Sequence, residues 1–268
     1  MTVYTYSMQG KRPSNEDAHI NYINMNGETS IDSTKLNLLG VFDGHGGKAV
    51  SNYLKKYLPL AIINNFNKEK ISSKFFCNIY NNIQKKMEVT FPRLIKRCGS
   101  TACICIHFMH NNKNKLCVVN VGDSRAIICN KFNIAVPLTI DHKPGQIMER
   151  KRIEYLGGTI EYDGSDWRIE NLSLSRAFGD CDAKPYVTHE PEVFSIDISS
   201  KDKFIIVACD GVWDVLSNQE AIDFVINLLS DKSYTGNYAK DLSIYAYNKG
   251  SSDNITIIYI CYNKIILQ

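Results

Sequence analysis

Four aspartates of this chain share one setting. Asp43 follows the apolar run LLGVF, Asp123 follows VVNVG, and Asp210 follows FIIVAC; Asp253, in GSSDNITIIYI, stands just before another such run. Each would lie at the end of a buried strand. Carboxylates gathered at one sheet edge repel one another and raise each other's pKa, and a divalent cation relieves that conflict. Oxygen donors without Cys/His spacing select a hard ion, Mg²⁺ or Mn²⁺, over zinc. Taken singly, each aspartate also has a plainer use: Asp-Gly at 43–44 and 210–211 is a common turn, and a strand-end aspartate often caps a helix. The stretch VFDGHGGKAV, residues 41–50, keeps the same two readings open. Its glycines make a tight turn, or they let the backbone crowd against a metal or phosphate held by Asp43. A nucleotide-binding P-loop is excluded, because Lys48 is followed by Ala49 and no glycine occupies the required upstream position.

The elements that must position these residues follow from periodicity. Strands are expected at Val3–Ser7 and at Leu36–Phe42, the latter ending on the glycine cluster. Val50, Tyr53, Leu54, Tyr57, Leu58, Ala61 and Ile62 fall at helical spacing over 48–66, with a kink expected at Pro59. A second amphipathic helix covers Ser72–Val89. Strands at Thr101–Phe108, Lys115–Val121 and Arg125–Cys129 follow, the first two joined by the polar loop HNNKNK, residues 110–115. A charged helix over 146–156 stops at Gly157–Gly158. Phe204–Cys209 reads as a strand, Gln219–Leu229 and Tyr238–Asn248 as helices, and Ile255–Ile260 as a last strand. Hairpin-like strand groups and paired helices argue for α+β with a largely antiparallel sheet system. The tract from Gly158 to Glu192 lacks periodicity and reads as a loop-rich flap.

With 268 residues, 44% of them hydrophobic and 22% charged, the chain can bury a sizeable core. A net charge of +3 is too small to argue for nucleic acid or an anionic membrane surface. No apolar run reaches the roughly 18–20 residues that span a bilayer. The first residues carry neither a secretory apolar region nor a myristoylation glycine. Of the nine cysteines, Cys103, Cys105, Cys117, Cys129, Cys209 and Cys261 lie in or beside apolar runs, and no CxxC pair occurs. They read as reduced core thiols of an intracellular protein, cytoplasmic or nuclear. No linker or repeat divides the chain. Its richness in Asn, Lys and Ile reflects base composition and not function.

A resemblance is carried by motifs in a fixed order: SMQGKRPSNEDAH, FDGHGG, GSTA, VNVGDSRA, LTIDHKP, ERKRIEYLGG, NLSLSRAFGD, EPEV, VACDGVWDV and SSDNITIIYI. Together they resemble the metal-dependent Ser/Thr protein phosphatases of type 2C (the PPM family), over nearly the whole chain. The resemblance implies a central antiparallel β-sandwich flanked by α-helices on both faces, four layers α-β-β-α. It also implies that residues 1–268 form a single catalytic domain with two Mg²⁺ or Mn²⁺ at one end of the sandwich.

Position by position, the resemblance implies that Asp43 bridges both ions and that the Gly44 carbonyl ligates one. Asp210 and Asp253 complete the other ion's protein ligands, and Glu16 and Asp17 support the centre directly or through water. Asp123 matches a position tied to a weaker third ion that shares Asp210, with Asp214 a further candidate. Arg12 matches the phosphate-binding arginine, whose planar fork suits two phosphoryl oxygens. His45 matches a candidate general acid for the leaving serine or threonine oxygen. Ser175, Arg176 and Asp180 are expected to support the flap.

Three departures stand out. Trp167–Glu170 replaces an Arg-Val-Asn-Gly type turn, Cys103 and Cys105 replace valines, and no long insertion follows GDCDAKPYVTHEPEV, so the flap is compact. The expected partners are phosphoserine and phosphothreonine proteins, with no nucleic acid, no membrane span and a monomeric state. The competing reading is a catalytically inactive family member that binds phosphoproteins as a regulatory module. The complete carboxylate set favours the enzyme.

Overall fold

The computed structural model describes residues 1–26, 35–69 and 71–262. Two five-stranded antiparallel sheets lie face to face. The first is ordered Thr2–Met8, Ile255–Cys261, Phe204–Ala208, Arg125–Cys129, Ala135–Pro137; the second is Glu192–Asp197, Lys113–Val121, Ala102–His110, Lys35–Phe42, Ala18–Asn26. Strict alternation builds the layers, because successive side chains of a strand point to opposite faces. Leu39 and Val41 meet Cys103, Cys105, Val118, Ile205, Val207 and Ile258 between the sheets. Leu36, Leu38 and Phe42, one residue out of phase, turn outward under the helices Ala49–Asn65 and Ser73–Thr90. On the other side Phe204, Ile206, Ile257 and Tyr259 pack under Asn218–Ser230 and Tyr238–Asn248. The expected α-β-β-α layering is therefore present. No helix of the described residues is long and apolar enough to cross a membrane.

Local chemistry sets the boundaries. Ser72 and Ser217 cap their helices, the latter through a reciprocal capping box with Glu220. The first helix continues through Pro59 to Asn65. The polar HNNKNK loop is shorter than expected. The strands Ala102–His110 and Lys113–Val121 pair up to His110 and Lys113, leaving only Asn111 and Asn112, at φ 49° and 58°, to turn the chain. Asparagine tolerates that left-handed pair, whose twist matches the flanking strands. The strands Ala18–Asn26, Glu192–Asp197 and Ala135–Pro137 are not apparent from the sequence. All three are sheet edges, where a partly exposed strand carries little apolar signal.

Candidate active site

The strand ends do converge. Asp43, Asp123, Asp210 and Asp253 line one cavity of about 380 Å³, together with Arg12, Glu16, Gly44 and His45. A small three-stranded sheet holds Gly44 and His45 at its wall: Gly44–His45 pairs with Gly99–Ser100, which pairs with Phe178–Gly179. Three motifs far apart in sequence are thereby brought together. Gly44 permits this because a Cβ there would stand 2.4 Å from the Glu16 carbonyl oxygen. At Gly99 a Cβ would stand 2.1 Å from Asp180 Oδ2 and 2.5 Å from His45 Nε2, so any side chain would break the contact between those two residues.

The turn carrying Arg12, Glu16 and Asp17 is clamped by Asn254. Its Oδ1 accepts from the Glu16 amide at 2.9 Å, and its Nδ2 donates to the carbonyls of Gln9 and Ser14 at 2.8 and 2.9 Å. Glu16 Oε2 accepts from the Gly47 amide at 2.8 Å. Asp17 lies behind the cavity. Its Oδ2 accepts from the Thr256 hydroxyl at 2.6 Å, while its buried Oδ1 has no hydrogen-bond partner. Asp17, Asp43 and Cys209 each present a ligand atom within 4.8 Å of the others.

The charges here are in conflict. Burial, followed by the charges of Asp210, Asp17, Asp123 and Asp253, pushes Asp43 well above the usual carboxylate range. Asp210 is pushed well up by burial and by Asp123, Asp214 and Asp253. Burial raises Asp17 to about 6, and it raises Asp123 to about 6 against the opposing charge of Lys143. The residues fit the ions that the resemblance implies. Asp17 Oδ1 and Asp123 Oδ2 are buried carboxylate oxygens without hydrogen-bond partners, in a site whose ionised carboxylates repel. Burial and the nearby aspartates push the Cys209 thiol well up, so in the metal-free protein it stays protonated beside the carboxylates. The available donors are oxygens, as hard cations require.

Two further groups face the same cavity. Arg12 Nη2 donates to Asp253 Oδ2 at 2.6 Å and is 56% exposed, so the guanidinium has donors left for an incoming anion. His45 Nε2 and Asp180 Oδ2 are 2.7 Å apart, and Asp180 is buried. Burial alone would lower the imidazole's pKa. The Asp180 bond and the charges of Asp180, Asp123 and Glu16 outweigh it and raise the pKa above its ordinary value. Asp180, expected as flap support, is thus the immediate partner of His45. A lone Asp after a glycine gives no sign of such pairing.

Ser175 and Arg176 do brace the flap. Glu149, buried, accepts from Ser175 Oγ at 2.8 Å, Arg176 Nη2 at 2.6 Å and Arg152 Nη2 at 2.7 Å. The two guanidinium groups hold its carboxyl down at about 2 despite burial. Lys143, from the LTIDHKP motif, was also missed by residue-level reading; its ammonium lies between Asp123, Asp166 and Asp214.

Known proteins resemble both the sequence and the fold. The family described as Protein phosphatase 2C matches residues 2–255. "Protein phosphatase 1L" of Bos taurus is 34% identical over 274 residues, covering 96% of this chain and 71% of that protein. "Probable protein phosphatase 2C 59" of Arabidopsis thaliana is 38% identical over 258 residues, covering 95% of this chain and 77% of its own. A solved serine-threonine phosphatase 2C from Toxoplasma gondii superposes with a TM-score of 0.80 over 97% of this chain and 94% of that one; at 22% identity it speaks for the fold alone. The chain belongs to the protein phosphatase 2C family.

Proposed function

We propose that the protein is a Mg²⁺- or Mn²⁺-dependent protein serine/threonine phosphatase that hydrolyses phosphoserine and phosphothreonine by direct attack of water. The observation that carries this reading is the carboxylate cluster with unpartnered buried oxygens, sharing one cavity with Arg12 and His45. Asp43, the Gly44 carbonyl, Asp210 and Asp253 would hold two ions, with Glu16 and Asp17 supporting them and Asp123 available to a third. When bound, the ions supply the Lewis acidity that makes water a nucleophile near neutral pH and offset charge on the phosphoryl oxygens.

The chain's own residues do the rest. Arg12 turns its spare N–H donors toward two phosphoryl oxygens and orients the ester for in-line attack. His45 holds a proton near neutral pH and gives it to the departing serine or threonine oxygen, a poor leaving group as a bare alkoxide. Asp180 occupies Nε2 and so leaves Nδ1 as the donor. Leu172 and Leu174 of the flap line the same cavity and limit water around the reacting bond.

The test is a Mn²⁺ titration with phosphoserine and phosphothreonine peptides and with para-nitrophenyl phosphate. Hydrolysis that needs the ion and is lost in EDTA is expected, and Asp210→Asn should reduce turnover by orders of magnitude in a folded protein. Wild-type protein that hydrolyses neither substrate with Mn²⁺ present would sink the reading in favour of a phosphoprotein-binding module.

A further inference from the structure

Beside the proposed metal centre, one cation is already built into the fold. Lys143 Nζ lies 3.4 Å from Asp166 Oδ2, 3.6 Å from Asp123 Oδ2 and 3.7 Å from Asp214 Oδ1. The loop that carries it is held on both sides. Asp141 receives two bonds from Arg125 at 2.9 and 2.6 Å, and His142 accepts from the Gly122 amide and donates its own amide to the Gly122 carbonyl, each at 3.1 Å. Gln146 then donates its amide to the Lys143 carbonyl at 2.9 Å. The ammonium is therefore aimed by a fixed loop and does not sweep the surface like an ordinary lysine. Its three carboxylates come from separate parts of the chain, and Asp123 contributes a buried oxygen without a hydrogen bond.

We propose that Lys143 is a tethered cation that stands in for a divalent ion among Asp123, Asp166 and Asp214, and so sets how weakly a third ion binds there. The idea rests on the two-ion reading above and adds a competitor to it. A single positive charge at ion-pair range partly neutralises the three carboxylates. A divalent ion approaching Asp123 must either meet that charge or displace it from all three partners. Both cost binding energy, because like charges about 4 Å apart in a partly buried site repel strongly. Replacing the ammonium by an apolar group of similar length removes the competitor and leaves the oxygen donors in place.

The experiment counts ions and does not rely on turnover. Chelator-stripped wild-type, Lys143→Met and Lys143→Arg proteins are titrated with Mn²⁺, and free ion is followed by electron paramagnetic resonance. Folding is checked by circular dichroism. All three should bind two ions tightly. Lys143→Met should bind the third at least roughly tenfold more tightly than wild type, and Lys143→Arg, which keeps the charge, should behave as wild type. An unchanged or weakened third ion in Lys143→Met, with two tight ions retained, would overturn the proposal and leave the two-ion reading standing. Loss of the tight ions in Lys143→Met would also overturn it, since Lys143 would then organise the centre. Wild-type protein without tight Mn²⁺ would remove both ideas together. Should Lys143→Met fail to fold, Lys143→Gln, which also removes the charge and leaves all three carboxylates in place, is read against the same outcomes.

Discussion

Replacing Asp43 by asparagine should stabilise the metal-free protein at neutral pH while abolishing most of its activity. Asp43 sits among Asp17, Asp123, Asp210 and Asp253, and burial and their charges all raise its pKa. The size of the conflict can be read from its neighbours. Asp17 and Asp123 titrate at about 6 against 3.8, so holding each ionised in the fold costs about 3 kcal/mol. These costs are shared within the cluster and do not add. The sign follows from proton linkage: the folded chain holds protons that the unfolded chain has released, so stability falls as pH rises from about 4 through 6, and further as Asp43 and Asp210 ionise. An asparagine keeps the shape and cannot ionise, so the gain at neutral pH should be at most on the scale of one neighbour's cost, about 3 kcal/mol, or up to about 10 °C in melting temperature. The assay is thermal unfolding in EDTA at pH 5, 6, 7 and 8, then at neutral pH with increasing Mn²⁺. Wild type should melt lower as pH rises and recover with Mn²⁺, whereas Asp43→Asn should show a flatter profile and a smaller Mn²⁺ response. An asparagine variant less stable than wild type in EDTA at neutral pH would refute the reasoning, as would a wild-type melting temperature that climbs from pH 5 to 8.

Four other perturbations separate the remaining roles. His45→Ala should slow phosphopeptide hydrolysis far more than that of para-nitrophenyl phosphate, whose leaving group needs little protonation; equal losses would remove His45 as the acid. Asp180→Asn keeps an acceptor but withdraws a charge that raises the imidazole pKa, so the alkaline limb of the kcat profile should move to lower pH, and an unmoved limb would leave Asp180 only a packing role. Asn254→Ala breaks three bonds that clamp the Arg12–Asp17 turn and should cost about 2–4 kcal/mol in chemical denaturation together with weaker Mn²⁺ binding. Glu149→Gln leaves Arg152 and Arg176 without their carboxylate and should cost about 3–5 kcal/mol, whereas a loss under 1 kcal/mol would mean that the flap does not depend on this network.

The elements most legible in sequence are those whose burial is two-sided. Leu36–Phe42 and Phe204–Cys209 announce themselves because both faces of these strands meet a core, and the helix Tyr238–Asn248 keeps its expected limits. Ala18–Asn26 does not, because its asparagine-rich alternation is that of an edge strand with an irregular step between Tyr22 and Met25. The aspartates could be read because each borders an apolar run, a local pattern that needs no partner to be visible. Their convergence could not, since it depends on which strand ends lie side by side.

By itself, the sequence determined the strand and helix inventory near the cores, the oxygen-only donor chemistry and the family motifs that carry Arg12, His45 and the carboxylates. Only the tertiary structure decided how those groups act on one another. His45 meets Asp180, 135 residues away, because Gly99 leaves room between two short paired strands. Lys143 becomes a counter-charge because a loop fastened to Arg125 and Gly122 aims it at three carboxylates from distant segments. Residue type is a local property, whereas the electrostatic environment that gives a carboxylate, an imidazole or an ammonium its role is set by distances that only the folded chain establishes.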